Sequence, residues 1–175
     1  NDSGVITVGT AGEAVGADVS QMDYFKQAIQ GNTSASNMIP SEIPLTNELG
    51  EKELGLPTMF VSTPLKDRDG VVIGVVAIRV DVNALNDLML SLNLGKTGET
   101  YLVNKDGFML TESRFAAHLK EMGLVKKRCA LSLKLVNSET GELNEGVKQC
   151  VAGNNGFDAR GYRDYSGLLV LGVWR

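Results

Sequence analysis

One histidine and two cysteines in 175 residues leave little from which to build a metal centre or a catalytic relay. His118 has no cysteine at a zinc-ligand spacing and no CxxCH context, which excludes the common zinc arrangements and c-type haem attachment. Nucleophilic catalysis needs a nucleophile, a base and an orienting acid to converge, and one histidine with no nucleophile-elbow motif offers little to arrange. Positive charge is also scarce. Seventeen Lys and Arg stand against 21 Asp and Glu, a net charge of −4. With no basic excess and no basic stripe interleaved with aromatics, nucleic acid is excluded as an expected partner. The longest apolar runs, Gly70 to Val80 and Gly167 to Trp174, fall well short of the roughly 20 residues that span a bilayer. Asn1-Asp2-Ser3-Gly4 carries neither the charged n-region nor the apolar h-region of a secretory signal, so none is expected within these residues.

What remains is the composition of a folded globular protein, 43% hydrophobic and 22% charged. Its clearest organisation is a repeat. Asn1-Asp2-Ser3-Gly4-Val5-Ile6-Thr7-Val8 matches Asn104-Lys105-Asp106-Gly107-Phe108-Met109-Leu110-Thr111, and Asp67-Arg68-Asp69-Gly70-Val71-Val72 matches Asp164-Tyr165-Ser166-Gly167-Leu168-Leu169 at nearly the same displacement. Two similar units of about 90 to 100 residues are implied. In each turn glycine accepts positive φ, Asp or Asn bonds back to nearby amides, and bulky or β-branched residues come next, the pattern of a hairpin. Met59 to Leu65 is expected to pair with Val71 to Val80, whose continuous apolar run suggests a central strand covered on both faces. Thr100 to Asn104 is expected to pair with Phe108 to Glu112, and Gly161 to Trp174 to form a further hairpin.

Two helices are predicted. Ser20, three residues before Asp23, gives a capping-box-like start to a helix over Tyr24 to Gln30 that stops at Gly31. Leu85, Leu88, Met89 and Leu92 recur at spacings of three and four and place one apolar stripe on a helix, expected to join the units, that stops at Gly95. Asn32 to Leu56, with Pro40, Pro44, Gly50 and Gly55, reads as a long loop with short strands lying over a sheet, an arrangement suited to covering a ligand. The repeat also places Tyr101-Leu102-Val103 where nothing precedes Asn1, so a first strand is expected to be missing.

Gly95-Lys96-Thr97-Gly98 is not a phosphate loop, because the Walker pattern's first glycine would fall on Leu90. Asp67-Arg68-Asp69-Gly70 is not a calcium loop, because its first acidic position would fall on Leu65. His118 reads as a surface helix position. Glu112-Ser113-Arg114 reads as hydrogen-bonding residues at a strand end rather than as a substrate-binding triplet. Cys129 and Cys150 would close a loop worth about 3 kcal/mol if bridged; a structural pair and buried free thiols both fit.

The stretch Leu94-Gly95-Lys96-Thr97-Gly98-Glu99-Thr100-Tyr101-Leu102-Val103-Asn104-Lys105-Asp106-Gly107, continuing to Phe115, resembles the junction and membrane-proximal start of double-Cache sensor domains. Gly161-Tyr162-Arg163-Asp164-Tyr165-Ser166-Gly167 resembles the same family's later hairpin, and Pro64 with Asp69-Gly70 through Asp81-Val82 its membrane-distal hairpin and exit strand. The resemblance implies an α/β (α+β) fold of two tandem PAS-like lobes, each a mostly antiparallel sheet flanked by helices and loops, truncated at both ends. Residues 1–93 would form the distal lobe with its connecting helix and 94–175 the proximal lobe. It further implies a periplasmic domain of an inner-membrane receptor, a sensor histidine kinase or chemoreceptor. Transmembrane helices would lie outside these residues, and the full-length receptor would be a homodimer.

Ligands of that family are small amino acids, carboxylates or amines held noncovalently in the distal lobe, with neither metal nor cofactor. In its amino-acid-binding branch an Arg-x-Trp-Tyr stretch clamps the carboxylate and an aspartate holds the ammonium. The arginine position here is Met22, the aromatic positions are Tyr24 and Phe25, and Asp81 matches the aspartate. Tyr24, Phe25 and Asp81 are therefore the expected ligand-binding residues, favouring a cationic or neutral ligand. A rival expectation is a protein-interaction or structural module of a membrane receptor. A hydrolase using Ser113 or Cys129 is a third reading.

Overall fold

A computed structural model describes residues 1–10, 12–47, 49–92 and 94–175, with only the backbone of Glu13. The chain folds as two compact units, Asn1–Val82 and Asn83–Arg175. Both are mixed α/β and their sheets are antiparallel, the fold class expected. Asn93, the last residue of the expected distal lobe, lies outside the described residues, and the helix expected to end that lobe opens the second unit.

In the first unit helix α1 covers Asp23–Ile29. Its N-cap is Met22, with no side-chain cap bond, so Ser20 does not play the capping role expected of it. Four two-residue strands come next: β1 (Ser34–Ala35), β2 (Ile39–Pro40), β3 (Leu45–Thr46) and β4 (Lys52–Glu53). The long hairpin is β5 (Pro57–Lys66) and β6 (Val72–Val80), in the register Met59↔Val80 through Leu65↔Gly74 with an irregularity between Leu65 and Lys66. β1 and β2 hydrogen-bond to the other edge of β5, so part of the expected covering loop extends the sheet. The central strand is consequently β5. Among the described residues β6 pairs with β5 alone, and Val76 and Ile78 on the face away from α1 are exposed. The expectation of β6 in the middle fails because a continuous apolar run carries no periodicity that tells a central strand from an outer one.

In the second unit α2 (Asn83–Ser91) carries the expected apolar stripe, yet none of its described residues is buried. It is tied down by polar bonds: the Glu112 amide donates to Asn86 Oδ1 at 2.9 Å, and Thr100 Oγ1 to the Met89 carbonyl at 3.0 Å. The pairing expected around Asn104 and Phe108 is a bridge between Val103 and Met109, and Met109 also exchanges hydrogen bonds with Leu131 and Leu133 on its other side. Met109, Leu119, Leu133, Leu135 and Val147 form the core. Two short helices, α3 (Ala116–Glu121) and α4 (Glu145–Val151), pack there, and Asn144 caps α4 by accepting from the Val147 amide at 3.0 Å. His118 sits exposed on α3, 3.6 Å from Glu121. The last hairpin is β7 (Gly156–Arg163) and β8 (Leu169–Trp174).

The turns that defined the repeat are built alike. Asp67 Oδ1 accepts from the amides of Asp69 and Val71 at 3.0 and 2.9 Å, and Asp164 Oδ1 accepts from those of Ser166 and Leu168 at 2.9 and 3.0 Å. Asn1 bonds the Val5 amide, and Asn104 those of Asp106 and Phe108, in the same way. The glycine closing each turn has φ between 82° and 84°. At Gly70 an added Cβ would meet nothing within 4 Å, whereas at Gly4 it would lie 2.6 Å from Ser20 Cα. Gly70→Ala is therefore expected to cost about 1 kcal/mol for the left-handed backbone alone, and Gly4→Ala at least about 1 kcal/mol more, measured by urea denaturation. Asp164→Ala, which strands two amides in a solvated turn, is expected to cost about 1 kcal/mol.

Candidate functional site

Opposite residues of an antiparallel pair point to the same side of the sheet. The register therefore sets Thr58, Phe60, Ser62 and Pro64 of β5 on one face with Arg79, Ala77 and Val75 of β6. Helix α1 packs on this face. Ser62, fully buried, donates through Oγ to the Tyr24 carbonyl at 2.7 Å, and the Tyr24 ring stacks on Phe60 with centroids 4.6 Å apart and planes at 25°. The segment 39–46 forms a further wall, held by Ser41: its amide donates to the Leu56 carbonyl at 2.9 Å, its carbonyl accepts from the Gly55 amide at 2.9 Å, and its hydroxyl bonds the Ile43 carbonyl.

These elements enclose a cavity of about 810 Å³ lined by apolar residues of 5–8, by Tyr24, Phe25, Phe60 and Thr58, and by Glu42, Lys52 and Arg79, all three exposed. A second cavity of about 520 Å³ shares Met22, Tyr24 and the 39–42 segment with it. Volumes of a few hundred to about a thousand Å³ are those of small-molecule pockets. Burial, then the negative charge of Glu42, pushes the Tyr24 hydroxyl up to about 12, so at neutral pH it is a neutral hydrogen-bond donor. Thr58 is 1% exposed and its Oγ1 has no hydrogen-bond partner. A buried hydroxyl left unpaired costs about 1–3 kcal/mol.

The structure brings Tyr24 and Phe25 together at the larger cavity and does not bring Asp81 to it. Strand pairing ends at Val80, so Asp81 falls in the exposed link before α2 and lines neither cavity. Arg79, two residues earlier, stands on the wall instead. Sequence reasoning passed over Phe60, Thr58 and Arg79: counting back from Lys66↔Val72 at the turn would pair Phe60 with Ile78, and it is the irregularity between Leu65 and Lys66 that sets Phe60 opposite Arg79.

No family model matches the chain. No curated protein matches it either. Among solved structures it is similar to the periplasmic sensory domain of the Campylobacter jejuni chemoreceptor Tlp1, at 19% identity and a TM-score of 0.47, over 91% of this chain and 52% of that one. The chain thus spans about half the length of that structure. No helix among the described residues is long and apolar enough to cross a membrane.

The second unit carries a polar node. Glu99 accepts from Ser113 Oγ and Tyr165 Oη, and from the Arg114 amide at 3.1 Å, while the Arg114 guanidinium donates to the Gly95 and Gly98 carbonyls at 3.1 and 2.8 Å. Glu112 accepts from the amides of Cys129 and Ala130 at 2.9 and 3.1 Å. Glu112, Ser113 and Arg114 are thus committed to internal bonds, as expected of strand-end residues. Both cysteines are free; Cys129 is buried, which pushes its thiol up to about 11 and keeps it un-ionised at neutral pH.

All four tyrosines are held above their ordinary pKa of 10.0, with burial the largest cause at each. Because the folded value is raised, the stability these groups contribute is complete below pH 10 and is lost as pH rises through the folded values. Above pH 10 stability is expected to fall, with tyrosinate absorbance developing together with unfolding; early absorbance from a folded chain would contradict the burial described. Thr58→Val is expected to raise stability by about 1 kcal/mol in urea, since it removes an unpaired buried hydroxyl at little change in shape.

Proposed function

We propose that this chain is the ligand-sensing, extracytoplasmic part of a transmembrane signal receptor of the double-Cache kind, with the first unit as its membrane-distal sensor and the second as its membrane-proximal lobe. One observation carries this reading: the first unit holds a cavity of about 810 Å³ with a stacked aromatic pair, Tyr24 and Phe60, on its wall and an unpaired hydroxyl, Thr58, behind it. Tyr24 and Phe25, the aromatic positions that the resemblance marks as ligand contacts, both line that cavity. Asp81 keeps a place in the proposal only as the residue leading out of the sheet toward α2.

Sensing in this scheme needs no chemistry. A ligand seated in the cavity shifts the receptor only by its difference in affinity for two arrangements of the lobe. The route from cavity to output starts at β6, whose Arg79 is on the wall and whose end at Val80 leads through Asp81 into the second unit. A histidine kinase or a chemotaxis module would serve equally as output, in a homodimeric receptor of the inner membrane.

A thermal-shift screen of the purified chain against amino acids, amines, carboxylates and purines tests the reading. A ligand at 100 times its dissociation constant adds about 2.7 kcal/mol, a shift of several degrees. The expected result is a saturable shift by one chemical class, lost in Phe60→Ala and retained in Asp81→Ala. A flat screen on folded protein would favour a protein-interaction module instead.

A further inference from the structure

We infer that the cavity of residues 1–82 takes a small organic carboxylate with an apolar body, its carboxylate met by Arg79 at the mouth; this rests on the reading that the cavity binds a ligand. The α1 position where an arginine would clamp a carboxylate is Met22, and the aspartate that would hold an ammonium, Asp81, is off the wall. The register instead sets Arg79 directly opposite Phe60, on the same face of the sheet as the Tyr24–Phe60 stack, and all three residues line the cavity. A planar guanidinium offers parallel N–H donors that fit one carboxylate bidentately.

Charge favours the same class. The chain carries −4 overall, yet the formally charged side chains on this cavity wall are Lys52 and Arg79 against Glu42. The same cavity is lined by Val5, Ile6 and Val8 of the opening segment and by Tyr24, Phe25 and Phe60, surface suited to an aliphatic or aromatic body. A phosphate dianion would call for several donors in one place, whereas one guanidinium beside an aromatic pair suits a monoanion. Thr58, two residues before Phe60 on the same face, supplies a hydroxyl with no hydrogen-bond partner among the described residues.

The test is isothermal calorimetry on the 175-residue chain with shape-matched probes: benzoate and hexanoate against benzylamine and hexylamine, with inorganic phosphate as the bare anion. The carboxylates are expected to bind saturably and the amines and phosphate not to. Arg79→Gln, at an exposed position where urea denaturation is expected to show unchanged stability, should weaken carboxylate binding at least about tenfold, and Arg79→Lys less. Amines binding as well as carboxylates, or Arg79→Gln binding benzoate unchanged, would overturn the inference while leaving a ligand-binding cavity in place. Silence from both carboxylates would also overturn it. In that case the broader screen decides separately whether the cavity binds anything.

Discussion

An Asp or Asn side-chain oxygen that accepts two amides, with a glycine at φ near +80° closing the turn, fixes the places where this chain reverses direction. Asp67, Asn104 and Asp164 each begin such a turn, Asn1 begins one in which its Oδ1 accepts from the Val5 amide and the Ser3 hydroxyl, and Asn47 begins another inside the 32–56 stretch, accepting from the amides of Leu49 and Glu51. A short carboxylate or amide reaches its own chain two and four residues on, and glycine alone enters the left-handed region without steric cost. Because each turn is a local bond pattern, it sets the register of the next strand before any core is packed. In the first unit the Asp67 turn and the irregularity after Leu65 determine that Phe60 faces Arg79. A slip of one residue would turn Thr58, Phe60 and Arg79 to the other side of the sheet, and the cavity with them.

The two units use this shared framework differently. In the first, α1 packs on the sheet, and beside it residues 5–8 and the 39–46 segment border a cavity with an unpaired hydroxyl on its wall. The opposite face of that sheet exposes Val61, Leu65, Val76 and Ile78. In the second, Glu99, Ser113, Arg114 and Tyr165 close on one another, and Tyr101 meets the Tyr165 ring edge-on at 6.1 Å. A space bounded by aromatics can exchange ligand, whereas a satisfied buried network resists rearrangement.

Much of this was legible in the residues. The four turns, the Met59–Val80 hairpin, the Gly161–Trp174 hairpin, helix α1 within a residue or two and the helix from Asn83 are all dictated by local chemistry. Tyr24 and Phe25 were picked out by resemblance to the Arg-x-Trp-Tyr stretch, since aromatics at a helix start read equally well as core. Helix α4 was not. It spans only Glu145–Val151, too short for apolar periodicity to show, and its one sign is the Asn144 cap. Asp81 was placed by resemblance to an aligned position, and resemblance says nothing of where strand pairing stops.

The sequence by itself determined where the chain turns, which segments alternate and that the plan is duplicated, because each of these is decided by contacts among residues close along the chain. Only the tertiary structure decided that β5 lies centrally, that β6 shows its apolar run to solvent, that Arg79 rather than Asp81 reaches the cavity and that Thr58 is buried without a partner. These depend on which distant segment, β1 or β2 from one side and β6 from the other, takes each edge of β5. No residue on β5 encodes that choice alone, since an edge is filled by whichever strand buries more on pairing with it.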